Sequence, residues 1–188
     1  MRRAKKRSKI NKVLWLLVFL IALALLSLPR WMAYFYPQPH QELVYKYSQE
    51  NNIDPNLVFA VIRVESKYQT KAESPEGAKG LMQIMPETGR WIAGQKGIKD
   101  FQAANLHDPE LNIQFGCWYL ASLKKEFGNN LPLFVAAYNA GSGTVRSWNE
   151  GGVWKGDLDE VDKIPYRETR DYVKNVWNNY QAYNSIYK

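Results

Sequence analysis

Cysteine and histidine are scarce in this chain of 188 residues, and their scarcity argues against several kinds of active site. The single cysteine, Cys117, leaves no intramolecular disulfide. It lies in the apolar stretch of residues 115–120, which indicates a small buried hydrophobic side chain. The two histidines, His40 and His107, provide few ligands for a metal site and few partners for a Ser-His or Cys-His nucleophile.

Acidic residues are absent from the first twelve positions, which contain seven basic ones. The whole chain has 25 Lys and Arg against 18 Asp and Glu, a formal net charge of +7. Outside the first twelve residues the two signs are equal in number, so the remaining chain has no basic field for nucleic acid. A nucleic-acid partner is therefore not expected. About 150 residues remain after the N-terminal segment, enough for one domain with a core.

Residues 13–28 form an apolar run in which only Ser27 is polar. A membrane span usually needs about 20 apolar residues, and here an aromatic cluster typical of the membrane interface follows at residues 31–36. The basic residues before the run predict an N-terminus in the cytoplasm and a chain that continues outside. We therefore predict a basic cytoplasmic tail over 1–12, a single-pass anchor in the cytoplasmic membrane over 13–36, and an extracytoplasmic domain over 37–188.

A cleaved signal peptide shares the basic and apolar parts of this pattern. Its small-x-small cleavage pattern fits Ala22-Leu23-Ala24, but these residues lie inside the apolar run, and the sequence after Leu28 is bulky. These features favour an uncleaved anchor. A lipid anchor would need a cysteine just after the run, and the only cysteine is Cys117.

The outer domain carries clear helix signals and little strand-like alternation. Asp54-Pro55 and Asp108-Pro109 each place an N-cap acceptor before a proline at the first helical position. The first pair predicts a buried helix that reaches Glu65, and the second predicts a helix over 109–127. Further apolar patterns predict helices over 132–137 and 166–183.

Two segments are predicted to lack regular secondary structure. Residues 71–80 contain one proline and two glycines, which indicates a loop or a small hairpin. Residues 149–163 are glycine-rich and then acidic, as in a surface loop. The fold class is therefore mainly α, with one domain following the anchor.

Glu65 stands out because an apolar run of about eight residues precedes it. Burial of its carboxyl would raise the pKa and keep the group protonated near neutral pH. A protonated carboxyl in a cleft is what a general acid for glycosidic cleavage requires. The alternative is a glutamate at a helix end that points to solvent.

Four blocks of sequence occur in a suggestive order: Glu65-Ser66, SPEGAKGLMQIMPET at 74–88, AYNAG at 137–141, and IPYRETRDYV at 164–173. Together they resemble the lysozyme-like lytic transglycosylases, over about residues 40 to 185. The resemblance implies a single lysozyme-like domain.

The resemblance also implies an activity. Members of this family cleave the β-1,4 bond between N-acetylmuramic acid and N-acetylglucosamine in peptidoglycan without using water. One glutamic acid protonates the leaving oxygen, then accepts the proton of the muramic C6 hydroxyl, and a 1,6-anhydro sugar forms. The substrate's N-acetyl group assists, so a second carboxylate is not needed. By this resemblance Glu65 is the acid and then the base, the partner is the peptidoglycan strand, and no metal or organic cofactor is implied.

Seven further positions match the family's substrate-binding residues: Ser74, Gln83, Met85, Tyr138, Asn139, Glu168 and Tyr172. Two of them have plain alternatives, since Met85 also suits a core and Glu168 also suits a pair with Arg170. Flat aromatic rings stack on sugar faces, and Trp148 and Trp154 beside the glycine-rich loop are the candidates for exposed rings.

Two other functions stay open. A goose-type hydrolytic muramidase needs an additional carboxylate to position water. Between Ser66 and Lys99 there is no aspartate, and the acids are Glu73, Glu76 and Glu87, which favours the anhydro-forming reaction. A non-catalytic, membrane-anchored glycan-binding module would have a damaged catalytic block, whereas here the block is complete.

Overall fold

The computed structural model describes residues 14–24 and 32–187 of the chain. By its contacts the chain divides into two units, residues 1–37 and residues 38–188. In the first unit, residues 14–24 form helix α1, whose large apolar side chains are exposed. Across the described residues, no helix is both long and apolar enough to cross a membrane. The predicted tail over 1–12 lies outside the described residues, as do residues 13 and 25–31 of the predicted anchor.

The second unit consists of helices joined by loops. The helices are α2 (Gln41–Glu50), α3 (Pro55–Ser66), α4 (Pro86–Gln95), α5 (Pro109–Glu126), α6 (Leu131–Ala140), α7 (Ser142–Glu150) and α8 (Arg167–Tyr187), with short 3-10 turns at Ala103–His107 and Val161–Lys163. The described residues contain no strand, only isolated antiparallel bridges that join Lys79 to Glu73 and to Ile84. The predicted mainly α class is confirmed, and the expected hairpin near residues 70–80 is reduced to these bridges.

The two Asp-Pro signals begin helices as expected. The Asp54 carboxylate accepts a 2.9 Å hydrogen bond from the Asn56 amide at the start of α3, and Asp108 accepts one of 2.9 Å from the Leu111 amide in α5. The first amide groups of a helix have no partner inside it. The aspartate side chain binds one of them, and the proline has no N–H to be satisfied. The predicted helix at 132–137 spans Leu131–Ala140 in the structure, and the Asn130 side chain caps its start.

Helix α3 forms the centre of the second unit. Residues 57–62 are each at most 2% exposed, and the helix packs along α8 and against α2. Helix α6 in turn packs against α5, α7 and α8. Burial of each large apolar side chain contributes about 1.5–3 kcal/mol to stability, so the position of α3 is strongly fixed. The end of α3, which carries Glu65, is therefore held in a defined place.

Candidate active site

Glu65 lies in the last turn of α3, where its side chain is half-buried. Its Oε1 atom accepts a 2.7 Å hydrogen bond from the Tyr172 hydroxyl of α8. Burial raises the pKa of Glu65 to about 7, the Tyr172 hydrogen bond opposes that rise, and the charge of Glu168 adds to it. Near neutral pH the carboxyl is thus present in both protonation states, as a group that donates and then accepts a proton requires.

The segment of residues 71–85, here called the 71–85 loop, lies beside the end of α3 and is held by three side chains. The Ser66 hydroxyl donates a 2.7 Å hydrogen bond to the Leu81 carbonyl oxygen. The Tyr138 hydroxyl donates one of 2.8 Å to the Met82 carbonyl oxygen, and the Asn112 amide oxygen accepts one of 2.7 Å from the Met82 amide. Helices α3, α5 and α6 therefore all fix the same two residues of the loop.

Asn112 is a residue that the sequence prediction missed. It is 1% exposed, and its side-chain amide nitrogen donates 2.8 Å hydrogen bonds to the carbonyl oxygens of Lys79 and Leu106. With the bond to Met82, this one side chain binds three backbone groups, of which the Lys79 carbonyl oxygen also accepts a 3.0 Å bond from the Ile84 amide. A polar residue between Leu111 and Ile113 on a buried helix is the signal that could have identified it.

Ser74 and Gln83 shape the 71–85 loop from within. The Ser74 hydroxyl accepts 3.2 Å hydrogen bonds from the amides of Glu76 and Ala78. Gln83 has a left-handed backbone with φ of 45°, and its side-chain nitrogen donates a 2.8 Å bond to the Gly80 carbonyl oxygen. That the two side chains also bind sugar stays a prediction.

The other predicted positions fall on three elements. Met85 precedes α4 and is 37% exposed, so the interpretation of Met85 as a core residue is wrong. The Asn139 amide oxygen accepts a 2.7 Å hydrogen bond from the Thr169 hydroxyl, which ties α6 to α8. Glu168 is exposed, and Arg170, its proposed partner, donates instead to the Ile164 carbonyl oxygen at 2.9 Å.

Four of the predicted residues meet around one carboxyl. Tyr172 bonds to Glu65, the charge of Glu168 acts on it, and the charge of Glu65 in turn contributes to the raised pKa of Tyr138. Burial is the main cause of the raised pKa of both tyrosines, which keeps their hydroxyls protonated and able to donate. The cluster therefore places two neutral hydroxyl groups and a second acid, Glu168, around the Glu65 carboxyl.

Trp148 and Trp154 are not the exposed rings that the glycine-rich loop suggested. They are 8% and 1% exposed. The Trp154 indole donates a 2.8 Å hydrogen bond to the Asp157 carbonyl oxygen, and Trp148 packs edge-on against Tyr166. The prediction is wrong because both indoles pack against other parts of the folded chain. The exposed tryptophan of the second unit is Trp91, which the sequence prediction did not single out.

No group of three or more His, Cys, Asp or Glu side chains within residues 14–24 and 32–187 is arranged to hold a metal ion. Cys117 is fully buried, and burial raises the pKa of its thiol.

Residues 42–159 match the family model described as the transglycosylase SLT domain. The chain belongs to this family. It is 39% identical over 155 residues to a soluble lytic murein transglycosylase of Salmonella typhimurium, a match that covers 81% of this chain and 23% of that protein. A membrane-bound lytic murein transglycosylase C of Haemophilus ducreyi is 39% identical over 112 residues, which cover 55% of this chain and 30% of the relative.

The fold agrees with the same family. The crystal structure of the 70 kDa soluble lytic transglycosylase of Escherichia coli superimposes with a TM-score of 0.77 and 37% sequence identity. That match covers 82% of this chain and 25% of the Escherichia coli chain. This chain thus spans about a quarter of the length of the soluble relatives it matches. The resemblance read from the four sequence blocks is confirmed.

Proposed function

We propose that this protein is a membrane-anchored lytic transglycosylase that cleaves peptidoglycan at the bond between N-acetylmuramic acid and N-acetylglucosamine. The observation that carries the proposal is the state of Glu65, a half-buried carboxyl with a pKa raised to about 7 and a 2.7 Å hydrogen bond from Tyr172. The names of the soluble and membrane-bound relatives support the same substrate class.

In the first step, protonated Glu65 gives its proton to the glycosidic oxygen while the bond from that oxygen to the muramic C1 breaks. The carbonyl oxygen of the sugar's own N-acetyl group forms a bond to C1 and takes up the developing positive charge. Glu65 becomes a carboxylate, and the Tyr172 hydroxyl stabilises it through a charge-assisted hydrogen bond.

In the second step, the Glu65 carboxylate accepts the proton of the muramic C6 hydroxyl. The C6 oxygen attacks C1 and displaces the N-acetyl oxygen, which gives the 1,6-anhydro ring and restores the protonated carboxyl. No water is consumed. A pKa near 7 suits this cycle because the same group must release and then accept a proton at similar pH.

The surroundings of Glu73 support this reaction over hydrolysis. A hydrolase would need a second carboxylate free to position water. Glu73, the first candidate in the 71–85 loop, forms a 2.5 Å ion pair with Lys79, and this partner lowers the pKa of Glu73. The other two acids between Ser66 and Lys99, Glu76 and Glu87, are exposed.

Mass spectrometry of peptidoglycan digests tests the proposed reaction. The full chain in detergent should release fragments with anhydro-muramic ends, one water lighter than hydrolytic ends, and the Glu65→Gln variant should release none. Reducing muramic ends would instead identify a hydrolase. Glycan left intact by the folded full chain would identify a binding module.

Anchoring through residues 13–36 is part of the proposal. It is supported by the basic residues before the apolar run and by the exposed apolar side chains of α1, with Trp15 72% and Phe19 63% exposed. Residues 31–40 extend at most about 36 Å, so the enzyme would act on glycan near the membrane. Extraction of membranes with alkaline carbonate tests the anchor: the full chain should stay in the membrane pellet. Its release into the soluble fraction would contradict anchoring.

A further inference from the structure

Trp91 is the only exposed tryptophan among residues 38–187, with 48% of its surface accessible. It lies on α4, whose buried face consists of Gly89, Ile92 and Ala93. Trp91 therefore does not contribute to the packing face of its own helix. Its exposed indole is accessible to a ligand.

Aromatic contacts connect Trp91 to the catalytic cluster. Its ring lies 5.2 Å from that of Trp118 and 6.3 Å from that of Tyr119, both in edge-on geometry. The Tyr119 ring lies 5.3 Å from that of Tyr138. We call Trp91, Trp118, Tyr119 and Tyr138 the aromatic row.

The row ends at the proposed catalytic centre. Tyr138 donates to the Met82 carbonyl oxygen, and it is close enough to Glu65 for that carboxylate's charge to act on its hydroxyl. The side chains of the row become more exposed with distance from Glu65: Tyr138, Tyr119 and Trp118 are half-buried, and Trp91 is exposed. The edge-on contacts of Trp91 with Trp118 and Tyr119 are a favourable arrangement, and they hold the outer indole in place.

We propose that the aromatic row is a stacking subsite for the glycan strand, in which Trp91 binds a sugar unit beyond those directly beside Glu65. The row is continuous with the site of cleavage, and the substrate is a polymer that extends past that site. One face of a hexose ring presents C–H groups, which pack against the negative face of an aromatic ring. Few polar groups and several aromatic rings are also typical of ligand-binding surfaces. This inference rests on the proposed function.

Calorimetric titration with chitooligosaccharides of two, four and six sugar units tests the inference. The parent protein is the full chain with Glu65→Gln, which prevents cleavage. Adding Trp91→Ala should weaken binding of the hexamer by about three- to tenfold and leave the dimer unchanged, because only the long ligand reaches Trp91. Trp91→Phe, which keeps a flat ring, should retain most of the hexamer affinity.

The matched control is Trp177→Ala on α8, where a half-buried indole contacts Tyr180. It should leave all three affinities unchanged. The inference is overturned if Trp91→Ala binds the hexamer as the parent does, or if it weakens the dimer equally. Those results leave the proposed function intact, because the parent would still bind glycan. A parent that binds no oligosaccharide would contradict glycan binding itself, and the inference with it.

Discussion

The Tyr172 hydroxyl donates a 2.7 Å hydrogen bond to Oε1 of Glu65, although 107 positions separate the two residues in the sequence. The packing of α8 along α3 brings them together, and Tyr172 is 7% exposed. The hydrogen bond favours the carboxylate, whereas burial favours the neutral acid. The pKa of about 7 is the balance of these effects, with burial the larger.

Glu65→Gln should stabilise the protein more at pH 8 than at pH 5. The pKa of Glu65 is about 7 in the folded protein against 4.5 ordinarily, so between these values the folded state binds more protons than the unfolded state. The stability of the native protein therefore falls as pH rises through this window. Glutamine removes the buried charge, and the gain at pH 8 should be about 1–2 kcal/mol, since partial exposure reduces the effect. Urea unfolding of both proteins at both pH values measures it; an equal difference at the two pH values would contradict the raised pKa.

Tyr172→Phe should move the alkaline limb of kcat/KM to higher pH by about one unit, because the lost hydrogen bond had stabilised the carboxylate. The maximal rate should fall at the same time. The matched control is Tyr180→Phe on the same helix, whose hydroxyl donates to Asp54 at the opposite end of α3. It should leave the limb in place. A limb that stays fixed in Tyr172→Phe, or moves to lower pH, would show that the hydrogen bond does not set the pKa.

Asn112→Ala should lower the free energy of unfolding by about 2–4 kcal/mol, because the Met82 amide and the Leu106 carbonyl oxygen lose their buried partner. It should also lower kcat, since the 71–85 loop is no longer fixed beside Glu65. Asn56→Ala removes another buried asparagine, which bonds to Asn184 at 2.9 Å. That control should lose stability and keep kcat. Equal losses of kcat in the two variants would indicate a general effect of unfolding.

Gly80→Ala should destabilise the protein by at least about 2 kcal/mol. Gly80 has φ of 77°, and a Cβ atom there would collide with the Leu106 carbonyl oxygen and the Asn112 side chain. Gly77 has φ of 89° and nothing near its missing Cβ, so Gly77→Ala bears only the backbone penalty of about 1 kcal/mol. Thermal unfolding of the two variants distinguishes the cost of the backbone conformation, which both share, from the cost of the steric collision at Gly80. Identical midpoints would show that the close approach at Gly80 has no energetic consequence.

Three of the four helices predicted from the sequence are capped by a side chain. Asp54, Asp108 and Asn130 cap α3, α5 and α6, while α8 was predicted from the helical spacing of its apolar and aromatic residues. The missed helices α2, α4 and α7 begin after His40, Met85 and Gly141, none of which makes a side-chain cap. Helix α4 does begin with a local signal, Pro86 at its first position, which the sequence prediction did not use.

The residues of the candidate site also differ in how far the local sequence could predict them. Glu65 was identifiable because it ends an apolar run, and Tyr172 because it belongs to a recognisable block. The three bonds of Asn112 depend on chain segments that meet only in the folded protein. The exposure of Trp154 was predicted wrongly for the same reason. A glycine-rich loop is typical of the surface, and only the folded structure shows that this indole is buried.

Digestion of peptidoglycan in water labelled with heavy oxygen tests the central claim most directly. If Glu65 transfers the C6 hydroxyl proton within the sugar, the new muramic ends are anhydro rings that contain no label. Mass spectrometry of the fragments should show unlabelled anhydro ends with the native chain and no new ends with Glu65→Gln. New muramic ends that carry one heavy oxygen would show that water attacks C1, which would contradict the account.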